Sequence, residues 1–316
     1  LTILFSTKLS AKHQKKLMQD YPEQSFVFCD NMKEASAVLP EAEVLATYGG
    51  DLTDDLIEKA VNLKWIMVLS AGMDQMPLTS LKNRNILVTN ARGIHKTPMS
   101  EYVIALLLQV YRQTKTLLHN ETNHYWDKSV RMQELTGKTM LIAGAGAIGQ
   151  EVARLAKAFR MKTIGVSRSG RPVEHFDENY STAAFDRLLP EIDIVVSVLP
   201  STAETTYFYT YDHFQKLPDH AVFLNMGRGD AVKTDVVLKA IRQGEIAHAI
   251  LDVFETEPLP EDSPLWQEEN ITITPHISGV SPEYVTRALE IFTRNLDTYL
   301  QDSTDYMNQI DLARGY

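Results

Sequence analysis

Short runs of β-branched and aromatic residues alternate with longer segments of helical period along almost the whole chain. No other feature restricts the fold as much. Strand candidates in the first third are residues 2–5, 25–29, 44–47, 65–69 and 87–89, and further on 139–143, 163–166, 192–198, 221–225, 249–252 and 271–274. Each run is bounded by polar or Gly/Pro turns and is too short for a helix, so each reads as a strand of a parallel sheet. Strands separated so regularly by helices build doubly wound α/β layers with right-handed crossovers. With 316 residues the chain has enough length for two such Rossmann-like domains, each with its own core.

Two helices read as the joints between them. Thr97 followed by Pro98 has the form of an N-cap with proline at the first helical position. Beyond it Met99, Val103, Leu106, Leu107, Val110, Tyr111, Leu117 and Leu118 recur on one broad apolar face, suited to linking two domains or to packing on a second subunit. Ser281 and Pro282 open the other, with Val285, Leu289, Phe292, Leu296 and Tyr299 turned inward. The middle sheet is complete by Thr274, so this last helix is expected to cross back. The expected division is therefore residues 1–95 with 283–316, and 96–282 inserted between them.

Charge and cysteine content remove several classes. A net charge of −10 opposes a surface built for nucleic-acid phosphates, although a local basic pocket stays possible. The single cysteine, Cys29, allows neither an internal disulfide nor a Cys-rich zinc site, and reads as a small core residue. No pair of His and carboxylates has a recognisable metal-ligand spacing, so no metal is expected. No apolar run approaches the roughly 18 residues needed to span a bilayer. The start of the chain has no signal-like pattern, which makes the cytoplasm the expected location.

Gly144, Gly146 and Gly149 form a G-x-G-x-x-G loop that an apolar strand enters and a helix leaves, the latter with Ile148, Val152, Leu155, Ala156 and Phe159 as its buried stripe. In that setting the first glycine permits the tight turn, the second lets a pyrophosphate approach the backbone, and the third lets helix and strand pack closely. The helix N-terminus then faces the phosphates. About 20 residues on, where an NAD site places an acid for the ribose 2′-hydroxyl, stand Ser167, Arg168 and Ser169. A carboxylate there would repel a 2′-phosphate, whereas a guanidinium and two hydroxyls can bind one. NADP(H) is the expected cofactor, with NAD(H) possible.

Ligands of open α/β sheets lie beyond the carboxyl ends of the strands. Three consecutive strand ends here carry Arg228, Glu257 and His276 toward one crevice. Arginine can hold a carboxylate and polarise a carbonyl, histidine can exchange a proton with the carbonyl oxygen, and a neighbouring carboxylate orients the ring and favours its charged form.

At this point the sequence resembles the D-isomer-specific 2-hydroxyacid dehydrogenase family, in segments 70–74, 90–94, 134–138, 144–149, 199–202, 225–229, 251–258 and 275–279. The resemblance implies Arg228 as the substrate-binding arginine, His276 as the acid/base and Glu257 as its partner. It implies that Asp252 meets the nicotinamide carboxamide. The amides of Ala71, Gly72 and Met73 would bind the substrate carboxylate from the other domain. Ala147, Ile148, Pro200, Thr205, Met226, Arg228, His276 and Gly279 join the glycines as implied dinucleotide contacts. A discontinuous, flavodoxin-like catalytic domain, an inserted nucleotide domain and a homodimer are implied too. Ser167, Arg168 and Ser169 resemble the NADPH-preferring glyoxylate/hydroxypyruvate reductase type.

The expected activity is reduction of a small 2-keto acid to the D-2-hydroxy acid, with the domains closing over cofactor and substrate. A dinucleotide-sensing scaffold or corepressor-like protein on the same fold is the alternative, but it gains nothing from an intact Arg, Glu and His set. Tyr48, Gly49, Gly50, Met73 and Met76 are expected to shape the pocket, the methionines as an adaptable wall. The side chain it accepts stays open between hydroxymethyl, alkyl and aromatic. His124, Tyr125 and Trp126 fit either a neighbouring subunit's active site or a packing surface.

Overall fold

The computed structural model describes residues 1–73 and 75–312. The chain divides into two compact units, one of residues 1–94 with 281–316 and the other of residues 95–280. Among the described residues no helix is long and apolar enough to cross a membrane.

The first unit holds β1 (Thr2–Phe5), β2 (Ser25–Phe28), β3 (Val44–Thr47), β4 (Trp65–Val68) and β5 (Leu87–Asn90) in the order β2-β1-β3-β4-β5. Every pairing is parallel. Because side chains alternate across a strand, both faces of such a sheet must be covered. Leu4, Leu45, Ile66 and Val88 pack into a core on one face. Ile3, Phe5, Val44, Trp65 and Met67 pack on the other with Leu289, Phe292 and Leu296 of the helix Tyr284–Leu300. Trp65 stacks on Phe292 at 5.5 Å and donates its indole N–H to Thr89 Oγ1 at 2.9 Å, which satisfies its one buried polar atom.

The second unit holds β6 (Thr139–Ala143), β7 (Lys162–Ser167), β8 (Glu178–Ser181), β9 (Ile194–Ser197), β10 (Val222–Asn225), β11 (His248–Leu251) and β12 (Ile271–Ile273). The order is β12-β11-β10-β9-β6-β7-β8, again parallel throughout. Strand order reverses at β6, so the loops after β6 and β9 flank the switch point where ligands of this architecture sit. Met140, Ile142, Val196 and Leu224 pack beneath the helices Lys96–Tyr111 and Ala147–Ala158. Leu141, Val195, Phe223 and Leu251 line the opposite core.

The joint helices differ from expectation. The first starts at Lys96 with His95 at its N-cap, so Thr97 and Pro98 lie inside the first turn and Thr97 caps nothing. Its carbonyl accepts instead from Ser100 Oγ at 2.9 Å. The apolar face is also not one helix: Gln113, at φ +55, breaks it, and a second helix Thr114–Thr122 follows. Leu117 and Leu118 are exposed on that second helix. The last helix begins at Tyr284, after a turn in which Ser281 Oγ accepts from Glu283 N at 3.2 Å. Cys29 is only partly buried, at the edge of a core rather than within it.

Candidate active site

The histidine comes from the loop after β12. Its ring Nδ1 lies 2.7 Å from Glu257 Oε2, and Glu257 Oε1 accepts from Phe254 N at 3.0 Å. A carboxylate only accepts, so Nδ1 carries the hydrogen and Nε2 is left as the ring atom that can exchange a proton. The backbone at His276 is left-handed, with φ +54. Residues other than glycine rarely adopt that region, so the loop must be held from outside.

Asp252 holds it. This residue is fully buried, and its Oδ1 accepts from Ile277 N at 2.9 Å and Thr274 Oγ1 at 2.6 Å. Its Oδ2 accepts from Ser278 N at 3.0 Å, and its carbonyl accepts from His276 N at 2.9 Å. The carboxylate that the resemblance aims at a carboxamide thus also holds the loop from behind. Neither Thr274 nor its partner Tyr102 was a sequence candidate. The signal lay in a tyrosine set among aliphatic residues, because a buried phenol requires a hydrogen-bond partner.

Arg228 follows β10 and is exposed. Asn225, buried at the strand end, shapes its turn: Oδ1 accepts from Gly227 N at 3.2 Å, and Nδ2 donates to Arg228 O at 3.0 Å. Gly229 then passes so near the next loop that a Cβ there would lie 2.0 Å from the backbone of Phe254. Absence of a side chain at 229 therefore brings the arginine turn against the segment that carries Glu257. The guanidinium Nη1 donates to Gly227 O at 2.8 Å.

At the switch point Gly146 is the N-cap of the helix Ala147–Ala158 and makes no side-chain cap bond. The first amides of a helix lack intrahelical acceptors, and here they sit beside open space: Gly146 and Ala147 are exposed, and a Cβ on Gly146 would meet nothing within 4 Å. Gly149 contrasts with this, since a Cβ there would lie 2.1 Å from Gly144 O. The cradle fits a pyrophosphate: bare backbone donors at a helix N-terminus, tight packing one turn behind. Ile148 is half-buried and Met226 buried, while Pro200 is exposed. Thr205 Oγ1 donates to Pro200 O at 2.5 Å and accepts from Thr202 N at 2.9 Å, which closes the loop after β9. Gly279 O is approached by His95 Nδ1 at 3.4 Å.

The turn after β7 is closed by its own hydroxyls. Ser167 Oγ accepts from Gly170 N at 3.2 Å and Ser169 Oγ accepts from Arg171 N at 3.4 Å. Both hydroxyls keep their protons to donate, and Arg168 is exposed between them. Arg171, also exposed, adds a second guanidinium to this short turn that the sequence reading did not name.

In the first unit Ala71, Gly72 and Met73 follow β4, with Ala71 O accepting from Asn90 Nδ2 at 2.8 Å. Among the described residues the amides of these three donate to no acceptor. That suits an anion. Asp74, of the same sequence segment, lies outside the described residues. The methionines correct the expectation of a pocket wall: Met73 and Met76 are 6% and 7% exposed and belong to the core. Met76 packs its sulfur over Gly49, where apolar burial outweighs any demand for an adaptable surface. Tyr48 remains exposed at the end of β3, its ring 6.3 Å from that of Tyr284.

The chain belongs to the D-isomer specific 2-hydroxyacid dehydrogenase family, whose NAD binding domain matches residues 104–278. It is an NAD(P)-dependent oxidoreductase of that family. A family member of solved structure from Aeromonas salmonicida subsp. salmonicida A449 is 35% identical, with a TM-score of 0.85 over 98% of this chain and 99% of that one. A glyoxylate reductase of Thermofilum pendens is 31% identical over 295 residues, 92% of this chain and 84% of the relative. An NADPH-dependent glyoxylate/hydroxypyruvate reductase from Sinorhizobium meliloti, solved with NADP and sulfate, is 26% identical with a TM-score of 0.79 over 100% of this chain and 99% of that one.

Proposed function

We propose that this chain reduces a small 2-keto acid to the D-2-hydroxy acid, using NADPH in preference to NADH. The observation that carries the reading is the His276–Glu257 pair, built at strand ends next to the arginine turn. Bound dinucleotide supplies the hydride. Arg228 binds the substrate carboxylate and polarises the keto group, with the amides of Ala71, Gly72 and Met73 as further donors to the carboxylate. His276 gives the carbonyl oxygen a proton from Nε2, and Glu257 keeps the ring in the tautomer and orientation this needs.

Loop 144–149 is read as the pyrophosphate cradle. The turn of Ser167, Arg168 and Ser169 is read as the 2′-phosphate site, with Arg171 added to it. No carboxylate stands among these residues, which favours the phosphorylated cofactor. The names of the relatives from Thermofilum pendens and Sinorhizobium meliloti support glyoxylate and hydroxypyruvate as the first substrates to try. Homodimeric assembly and a cytoplasmic location belong to the same reading.

Initial rates with NADPH and NADH, against glyoxylate, hydroxypyruvate, pyruvate and phenylpyruvate, test it. A clear preference for NADPH with any of the four is expected. Equal rates with NADH would overturn the 2′-phosphate assignment, and no turnover of any of the four would overturn the substrate class.

A further inference from the structure

One phenol on the helix Lys96–Tyr111 reaches the histidine loop. Tyr102 Oη lies 2.7 Å from Thr274 Oγ1, and Thr274 Oγ1 lies 2.6 Å from Asp252 Oδ1. Counting protons fixes the directions. Asp252 meets backbone N–H groups with both oxygens as a carboxylate, which has no hydrogen to give Thr274. The single threonine hydrogen therefore goes to Asp252. Thr274 must accept in its other contact, and Tyr102 must donate.

The chain of bonds ends on the backbone around His276. Asp252 receives the amides of the two residues after the histidine and, through its carbonyl, the amide of the histidine itself. These are the bonds that hold a left-handed histidine in place. Thr274 rotates freely unless something fixes its hydroxyl, and the Tyr102 donor leaves it one useful direction. Tyr102 keeps its proton for this role, since burial pushes the phenol well above its usual range.

We propose that Tyr102 is a positioning residue for proton transfer: through Thr274 and Asp252 it fixes the backbone that presents His276 to the substrate. This rests on the assignment of His276 as the acid/base. Networks of this kind act as units, so removal of one hydroxyl is felt at the far end.

Tyr102→Phe takes away one oxygen and leaves the packing. It is expected to lower kcat about five-fold, the worth of one neutral hydrogen bond, while the dissociation constant for the dinucleotide stays within about two-fold. Thr274→Ser keeps the relay and is expected to turn over as the parent does, whereas Thr274→Val falls at least as far as Tyr102→Phe. In a His276→Asn background, Tyr102→Phe is expected to cost nothing more. An unchanged kcat in Tyr102→Phe overturns the proposal. So does an equal fractional loss in the His276→Asn background, or a parallel loss of dinucleotide affinity, since either means that the tyrosine merely braces the fold. Full turnover by His276→Asn alone would instead overturn the acid/base assignment itself, before Tyr102 is touched.

Discussion

His276 and Glu257 are 19 residues apart in the chain, yet Nδ1 and Oε2 meet at 2.7 Å, and the other oxygen of the same carboxylate accepts from Phe254 N at 3.0 Å. Both carboxylate oxygens thus receive N–H groups. An amide in this position can accept from only one of them, and its own NH2 must face the other donor. Glu257→Gln is therefore expected to lower kcat by about 100-fold, the lower end of the usual contribution of acid–base catalysis. Steady-state rates with saturating cofactor decide this, and an unchanged kcat would separate Glu257 from the chemistry.

Gly149 has no room for a methyl group, because the obstacle at 2.1 Å is a backbone oxygen rather than a movable side chain. Gly149→Ala is expected to push the helix Ala147–Ala158 off β6, with a loss of about 1–3 kcal/mol. Dinucleotide affinity should fall with it. Thermal unfolding and cofactor titration of the same variant check both halves.

His248 predicts acid sensitivity. Burial, and then the charge of Lys115, push its ring from an ordinary value of 6.5 down to about 4. The folded state therefore resists a proton that the unfolded state accepts, and stability is full above the unfolded value and is lost as pH falls through that window. Between about pH 7 and about pH 5 the loss amounts to at most about 2 kcal/mol. In His248→Gln, part of the drop in Tm over that interval should vanish; an identical drop would remove His248 from the account.

Phe292 is fully buried between Phe5, at 5.2 Å, and Trp65, at 5.5 Å. Phe292→Ala empties the contact between the last helix and the first sheet, at a cost of about 3–5 kcal/mol. Urea unfolding followed by the tryptophan signal would reveal it, and a loss under about 1 kcal/mol would mean that the helix collapses into the gap.

Strands were legible wherever both faces are buried. β1, β3 and β6 fall on the residues their apolar runs predict, because a doubly covered strand has to be apolar throughout. β8, Glu178–Ser181, escaped notice because it is an edge strand of half-exposed polar residues with no apolar period. Helix starts were misread at Thr97 and Ser281, where a cap-like residue before proline outweighed the true turn geometry. In the site, the pairing of Glu257 with His276 follows from adjacent strand ends and so could be foreseen. The burial of Met73 and Met76 could not, since sequence pattern does not say which way a loop side chain turns.

The backbone at His276 is held through bonds that do not involve its own ring. Position 276 therefore behaves as a socket whose shape outlasts its occupant. His276→Gly would keep the socket at no steric cost, since glycine accepts the left-handed backbone, and would leave Glu257 facing a gap the size of an imidazole. Free imidazole added to that variant can take the place of the missing ring against the carboxylate. The side chain at 276 is in that sense a replaceable part, held by a frame that the chain builds independently of it.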